Sequence, residues 1–456
     1  MRSLSTQSLW LAAAVVAGGV VVPAAMPATA SAAPCSGVTA SSTESDEAEV
    51  EGTPLGRKPI TADGPVGSEP QDELFSAQSA SPASLVGMLT GPRSDNATVE
   101  RFGISGTDLG IMWDNGESGA ERQVLIAYGD TFGDCSLPGN EWRYNTLMRS
   151  GDTTLSDGMS VPDPLTEEDA DYLQGGSPVT VDRPNFSKQI IDSLELAPTE
   201  ITVIPTAGIS VGTTQYINFM SVRQWGTPGQ WTTNFSAIAV SEDNGETWEV
   251  DPGTIRFNQN SGISGATVIP GNQNFQMTAY VKRDGYVYTF GTPSGRSGAA
   301  RVARVLEEDI LELQKYDYWN GSSWVRADPG AARNVISAPV SEMSVQWNDY
   351  LGKYIAMYTN GVGSVVMRTA SQPQGPWSSA QTIMTAIAWP GGLYAPYIHP
   401  WSSGNQLYFT VSRWSDYNVL FMRTTLSQDP PSGGGGSLSG PSAQNLDSGS
   451  LQSFPF

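Results

Sequence analysis

The chain has 456 residues and a formal charge of −22, with 46 acidic side chains against 24 Lys and Arg. That balance argues against nucleic acid or an anionic membrane as partner, because phosphate binding needs clustered cations. With 49 Gly, 31 Pro and more strand-like than helical runs, the composition points to an all-β protein.

Residues 1–32 read as a secretory signal peptide. Arg2 is the one charge, residues 9–22 form an apolar run, and Ala30-Ser31-Ala32 gives a small-x-small cleavage pattern. The run is too short for a spanning helix and no later stretch is apolar for longer, so a secreted or wall-associated protein with no membrane insertion is expected. Residues 33–83 read as a linker rich in Pro and Ser, with the acidic run Glu44-Ser45-Asp46-Glu47-Ala48-Glu49-Val50-Glu51. Residues 84–428 carry the folded domain, and the Gly/Ser-rich tail 429–456 cannot bury enough surface to fold. Two cysteines in an oxidising compartment, Cys35 and Cys135, are expected to pair.

Within the domain, the stretch 106–149 stands out. Runs of strand character at 108–113 and 123–128 flank a loop in which Gly116 and Gly119 permit a reversal. A hairpin centred on Gly119 sets Asp108 opposite Asp130, with facing Cβ atoms roughly 4.5–5.5 Å apart. Paired carboxylates are what glycosidic cleavage needs, one protonated to donate to the leaving oxygen and one ionised. The plain structural role of the same residues is to cap turns.

Further strand pairs follow at 216–222 with 236–240, 275–281 with 286–290, 354–359 with 365–368, and 407–412 with 419–423. Residues 152–198 interrupt the spacing as a long insertion, and 306–313 is the one helical-looking piece. Five clusters of antiparallel strands in one all-β domain predict a propeller with about 4–8 blades; a β-sandwich with long loops is the other arrangement they allow. Ser241-Glu242-Asp243-Asn244-Gly245-Glu246-Thr247-Trp248 fits S-x-D-x-G-x-T-W, the Asp-box hairpin of sialidase-like propellers, which assigns Asp243 a structural role.

Candidates for substrate binding are Arg143 and Asn145 just after the carboxylates, Asn234 beside a loop with Trp225 and Trp231, Glu342 as a third carboxylate, and His399, Trp401 and Trp414 in aromatic clusters near the end. Aromatic faces stack on sugar rings while amides read hydroxyls. His399 is the single histidine, so a His-rich zinc site is excluded. No G-x-S-x-G elbow or phosphate-binding glycine loop is present. No cofactor or metal ligand set is expected; acids are plentiful enough for a calcium ion in a propeller channel, but no loop has a recognisable ligand ladder.

GTDLG with GDTFGDC, then WRYN, IPTAGISVG, NFSAIAVSEDNGETW, YVYTFGTPSGR, SEMSVQWN, YIHPW and W-x-x-YNV, in that order, resemble the endo-D-arabinanases. These form glycoside hydrolase family 183, formerly an actinobacterial domain of unknown function. The resemblance implies a five-bladed propeller that cleaves internal α-D-arabinofuranosyl linkages of the arabinogalactan and lipoarabinomannan of mycobacterial-type envelopes. It implies an inverting mechanism with Asp108 and Asp130 as the catalytic pair, a polysaccharide partner, and a monomer. A glycan-binding propeller without turnover is the rival from another class.

Overall fold

The computed structural model describes Cys35, residues 80–259 and residues 261–428. The expected signal peptide, nearly all of the linker and the tail 429–456 lie outside the described residues. Strand β1 (Ser84–Met88) comes first in the chain but belongs to the last sheet. Blade I is β2 (Leu109–Asp114), β3 (Val124–Tyr128) and β4 (Thr146–Ser150). Blade II holds β5 (Thr202–Val211), β6 (Thr214–Trp225), β7 (Trp231–Ser241) and β8 (Glu249–Phe257). Blade III runs through β9 (Met277–Arg283), β10 (Tyr286–Thr292), β11 (Ala300–Leu306), β12 (Asp317–Trp319) and β13 (Trp324–Arg326), with β14 (Asn334–Ile336) also on β11. Blade IV contains β15 (Met343–Asn348), β16 (Lys353–Thr359), β17 (Val365–Ala370) and β18 (Gln381–Met384). Blade V contains β19 (Leu393–Ile398), β20 (Gln406–Arg413) and β21 (Asn418–Thr425).

The first strands of the blades, β2, β5, β9, β15 and β19, pack one against the next and back to β2, which makes a five-bladed propeller. β1 closes the ring as the outer strand of blade V, pairing antiparallel with β21 from Ser84 opposite Arg423 to Met88 opposite Leu420. The two ends of the domain therefore share one sheet, which blunts an exposed edge and ties the ring. Blades are packed on both faces, so central strands read as unbroken apolar runs. Val124-Leu125-Ile126-Ala127-Tyr128 is buried throughout.

Blade I has three strands, and residues 151–201 cover its outer side with little regular structure of their own. Asn145 pins them: its Nδ2 donates to the Ile191 carbonyl (3.0 Å) and the Val203 carbonyl (2.9 Å), and its Oδ1 accepts from Ile190 N and Ile191 N. The helical-looking piece 306–313 is instead the end of β11 followed by a 3₁₀ turn, Glu307–Asp309.

The Asp-box forms the β7–β8 turn. Asp243 Oδ1 accepts from Ser241 Oγ (2.7 Å) and Thr247 N (2.9 Å), while Trp248 Nε1 donates to the Gly245 carbonyl (3.0 Å). Gly245 sits at φ 82°, and a Cβ there would stand 2.5 Å from Leu147. Arg149, fully buried in β4, reaches this turn through Asn244 O (2.9 Å) and Glu246 Oε2 (2.8 Å), so a buried ion pair joins blade I to blade II. Cys35 and Cys135 are joined by a disulfide with an S–S distance of 2.08 Å. Among the described residues, no helix is long and apolar enough to cross a membrane.

Candidate active site

The expected hairpin forms, with one correction. Asp114 pairs with Val124 and Met112 with Ile126, the register that centres on Gly119. Between Ile111 and Leu109 a β-bulge shifts the pairing by one, and Leu109 faces Tyr128. Asp108 therefore stands beside Gly129, whose N–H donates to the Asp108 carbonyl (3.2 Å), and not directly opposite Asp130. Both bulge residues, Leu109 and Gly110, have φ 73°, a conformation that a leucine adopts only when its surroundings enforce it. Blade V supplies the enforcement. Ser412 Oγ accepts from Leu109 N (2.8 Å) and Thr410 Oγ1 donates to the Gly110 carbonyl (2.8 Å). Bulges re-aim side chains next to active sites, and this one turns Asp108 toward blade V.

There Tyr394, at the start of β19, donates its hydroxyl to Asp108 Oδ2 (3.0 Å). Asp108 Oδ1 is sealed from solvent, the buried Tyr417 hydroxyl also faces this carboxyl, and a Cβ on Gly129 would stand 2.5 Å from Oδ1. Asp130 Oδ1 accepts from the Thr202 hydroxyl (2.6 Å) at the start of β5 and from Trp142 Nε1 (2.9 Å). Burial, then the charge of Asp130, pushes the Asp108 carboxyl up to about 8, against the Tyr394 hydrogen bond and the Arg296 charge. Burial also raises Asp130, but its two donors favour the ionised form and hold it to about 6. Both carboxyls are thus pushed upward, Asp108 the further of the two.

A third carboxylate stands beside them. Glu342, just before β15, is clamped by both ends of the Arg296 fork (Nε 3.0 Å, Nη2 2.8 Å), and Arg296 lies over the Tyr394 ring at 4.6 Å. Trp414 and Trp142, each about two-fifths exposed, flank the site. Trp414 meets Tyr394 edge-on at 6.2 Å and Trp142 meets Tyr144 at 5.1 Å.

The other expected residues are elsewhere. Arg143 donates to the carbonyls of Ser187 (2.8 Å) and Gly103 (2.6 Å) and stacks on Phe186, while burial lowers its pKa to about 9; it touches neither carboxylate. Asn145 is spent on residues 190–203, as described above. Asn234 is buried one row below the mouth, where Nδ2 donates to the Thr199 carbonyl (2.8 Å) and Ser221 Oγ (3.0 Å). It supports the segment that delivers Thr202. His399 and Trp401 follow β19 at its far end. Trp401 Nε1 donates to Asp114, and β2 separates Asp114 from Asp108 by about 20 Å at the rise of an extended chain. His399 is fully buried, its pKa pushed down to about 3 by that burial, and its Nε2 has no partner. Tyr394 belongs to the same aromatic cluster as His399 and Trp401, and Arg296 ends the motif YVYTFGTPSGR, but nothing in the sequence around them or around Thr202 announces a contact with the carboxylates. Among the described residues no group of three or more His, Cys, Asp or Glu side chains is placed to hold a metal ion.

Fold and site together define a five-bladed β-propeller with a pair of buried carboxyls, both raised by burial, at one mouth of its ring. The chain belongs to the DUF4185 family, a domain of unknown function, whose model matches residues 93–423. It is 30% identical over 368 residues to Notoamide biosynthesis cluster protein J of Aspergillus sp. (strain MF297-2), covering 78% of this chain and 91% of that protein. Among solved structures it is similar to a GH43_1 enzyme from Xanthomonas citri (TM-score 0.39, 15% identity, 78% of this chain and 93% of the other). It is also similar to the catalytic domain of a GH62 α-L-arabinofuranosidase from Coprinopsis cinerea (TM-score 0.41, 11% identity, 76% and 98%). At such identities and scores these likenesses say nothing about chemistry.

Proposed function

We propose that the protein is a secreted glycoside hydrolase that cleaves internal α-D-arabinofuranosyl linkages of D-arabinan, as in arabinogalactan and lipoarabinomannan, with inversion. The observation that carries this reading is the pair itself: two neighbouring carboxyls whose surroundings push them to about 8 and about 6 beneath exposed indoles. The motif resemblance to endo-D-arabinanases supports the substrate and the stereochemistry, and the N-terminal sequence pattern supports export.

Asp108 acts as the general acid. Its carboxyl, oriented by the Tyr394 hydroxyl on Oδ2, gives its proton to the departing glycosidic oxygen. Asp130, kept ionised by Thr202 and Trp142, takes a proton from the water that attacks the anomeric carbon on the opposite face. Trp142 and Trp414 offer aromatic faces to the sugars on either side.

The experiment is product analysis on purified D-arabinan beside L-arabinan and galactan. New reducing ends are expected from D-arabinan, with the β anomer appearing first by NMR. An initial α product would replace inversion with a covalent intermediate. Binding of D-arabinan with no reducing ends released would make the protein a glycan-binding propeller.

A further inference from the structure

Two loops rise on the mouth face beyond Arg296, and they form a second, uncharged cleft. Residues 226–230 join β6 to β7 and residues 293–299 join β10 to β11. The first loop is closed on itself by Gly226 N to Gln230 O and Gln230 N to Thr227 O, each 2.8 Å. It is tied to the second by Arg296 N donating to Gly229 O at 2.8 Å. Between them lies a cleft of about 360 Å³ whose lining includes Gln224, Gln230, Trp231, Ser294 and Ser297, with no charged side chain. Trp225 stands at its side, 41% exposed and edge-on to Trp231 at 5.8 Å. Trp231 itself is nearly buried, 8% exposed, with its indole N–H sealed inside.

We propose that this cleft is a carbohydrate subsite that takes a neutral sugar unit several positions along the same polymer that reaches the carboxylates. The inference rests on reading the mouth as a glycan-cleaving site and adds where the chain runs. An exposed indole face with amides and hydroxyls around it, and no charge, is the chemistry that recognises a sugar ring. The acidic chain as a whole repels polyanions. Arg296 joins the cleft to the pair: its guanidinium lies 5.6 Å from the Trp231 ring on one side and 4.6 Å from the Tyr394 ring on the other, and Tyr394 holds Asp108. A polymer seated in the cleft crosses Arg296 and arrives at the pair, whereas a single sugar in the cleft is never cut.

The test uses the full chain carrying Asp108→Asn, so that bound polymer persists, alone and combined with Trp225→Ala or Trp225→Phe. Native gels containing D-arabinan, L-arabinan or galactan report the dissociation constant through retardation. Losing one stacking ring is expected to weaken binding of the retarding polymer about 2- to 10-fold, with Phe restoring most of it. Trp225 is exposed, so all three proteins are expected to melt together. Equal retardation of the three, or retardation by none of the polymers, overturns the subsite. If Trp225→Ala weakens retardation while the unmutated chain releases no reducing ends, the subsite stands and the cleavage reading fails.

Discussion

Asp108→Asn separates the acid from the base by its effect on stability as much as on rate. In the folded protein the carboxyl is held near 8; in the unfolded chain it returns to its ordinary 3.8. Between those values the folded state keeps a proton that the unfolded state releases, so stability is full below about pH 4 and falls as pH rises toward 8. One pH unit of such a difference is worth about 1.4 kcal/mol, so at pH 7 the charge-burial cost is at most about 4 kcal/mol, less whatever solvent at the mouth screens. Asparagine has no proton to lose. Urea unfolding of both proteins at pH 4.5 and pH 7 should show the variant gaining on the wild type by about 1–3 kcal/mol between the two pH values. Turnover should move the other way, falling by ~10²–10⁴-fold on arabinan. It should fall far less on an aryl arabinofuranoside whose leaving group departs without a proton. In the wild type, kcat/KM should rise through a limb near 6 as Asp130 ionises and decline through one near 8 as Asp108 loses its proton. A stability gap that is the same at both pH values would refute the raised carboxyl, and equal losses on arabinan and the aryl substrate would refute its role as acid.

Gly129→Ala adds a Cβ 2.5 Å from Asp108 Oδ1 at a position whose backbone is otherwise ordinary, so the carboxyl must swing away. Turnover should fall by at least tenfold while the melting temperature moves by only a few degrees, read by kinetics and calorimetry on the same sample. Glu246→Ala leaves Arg149 fully buried without its carboxylate, which should cost about 3–5 kcal/mol in urea unfolding. Because the Asp-box turn is at the end of β7 away from the mouth, the specific activity of the folded fraction should be unchanged.

Much of the architecture is carried by local pattern. Strand periodicity marks one pair of strands in each of the five blades, because every blade must bury apolar side chains against its neighbours. The Asp-box is equally local: Ser241, Asp243, Thr247 and Trp248 satisfy their bonds within one turn, so the motif reads the same in sequence and in space. The hairpin that brings Asp108 and Asp130 to one end of blade I is also legible, since a two-strand reversal is decided by the residues inside it. What lies between blades is not. The return of β1 to blade V has no local signal, because strand pairing across more than 300 residues leaves no periodic trace. The bulge that shifts Asp108 by one residue is held by Ser412 and Thr410, three hundred positions away. Arg143 and Asn145 follow the carboxylates in sequence, yet they turn back to hold residues 103 and 187–203 because unpaired carbonyls there need donors. His399 and Trp401 share a motif with Tyr394, but an extended strand carries its two ends to opposite faces of the ring. Sequence therefore determines the blades and the carboxylate hairpin, whose bonds are local. Only the closed ring decides which distant groups, Tyr394, Thr202, Arg296 and Glu342, set the protons on it.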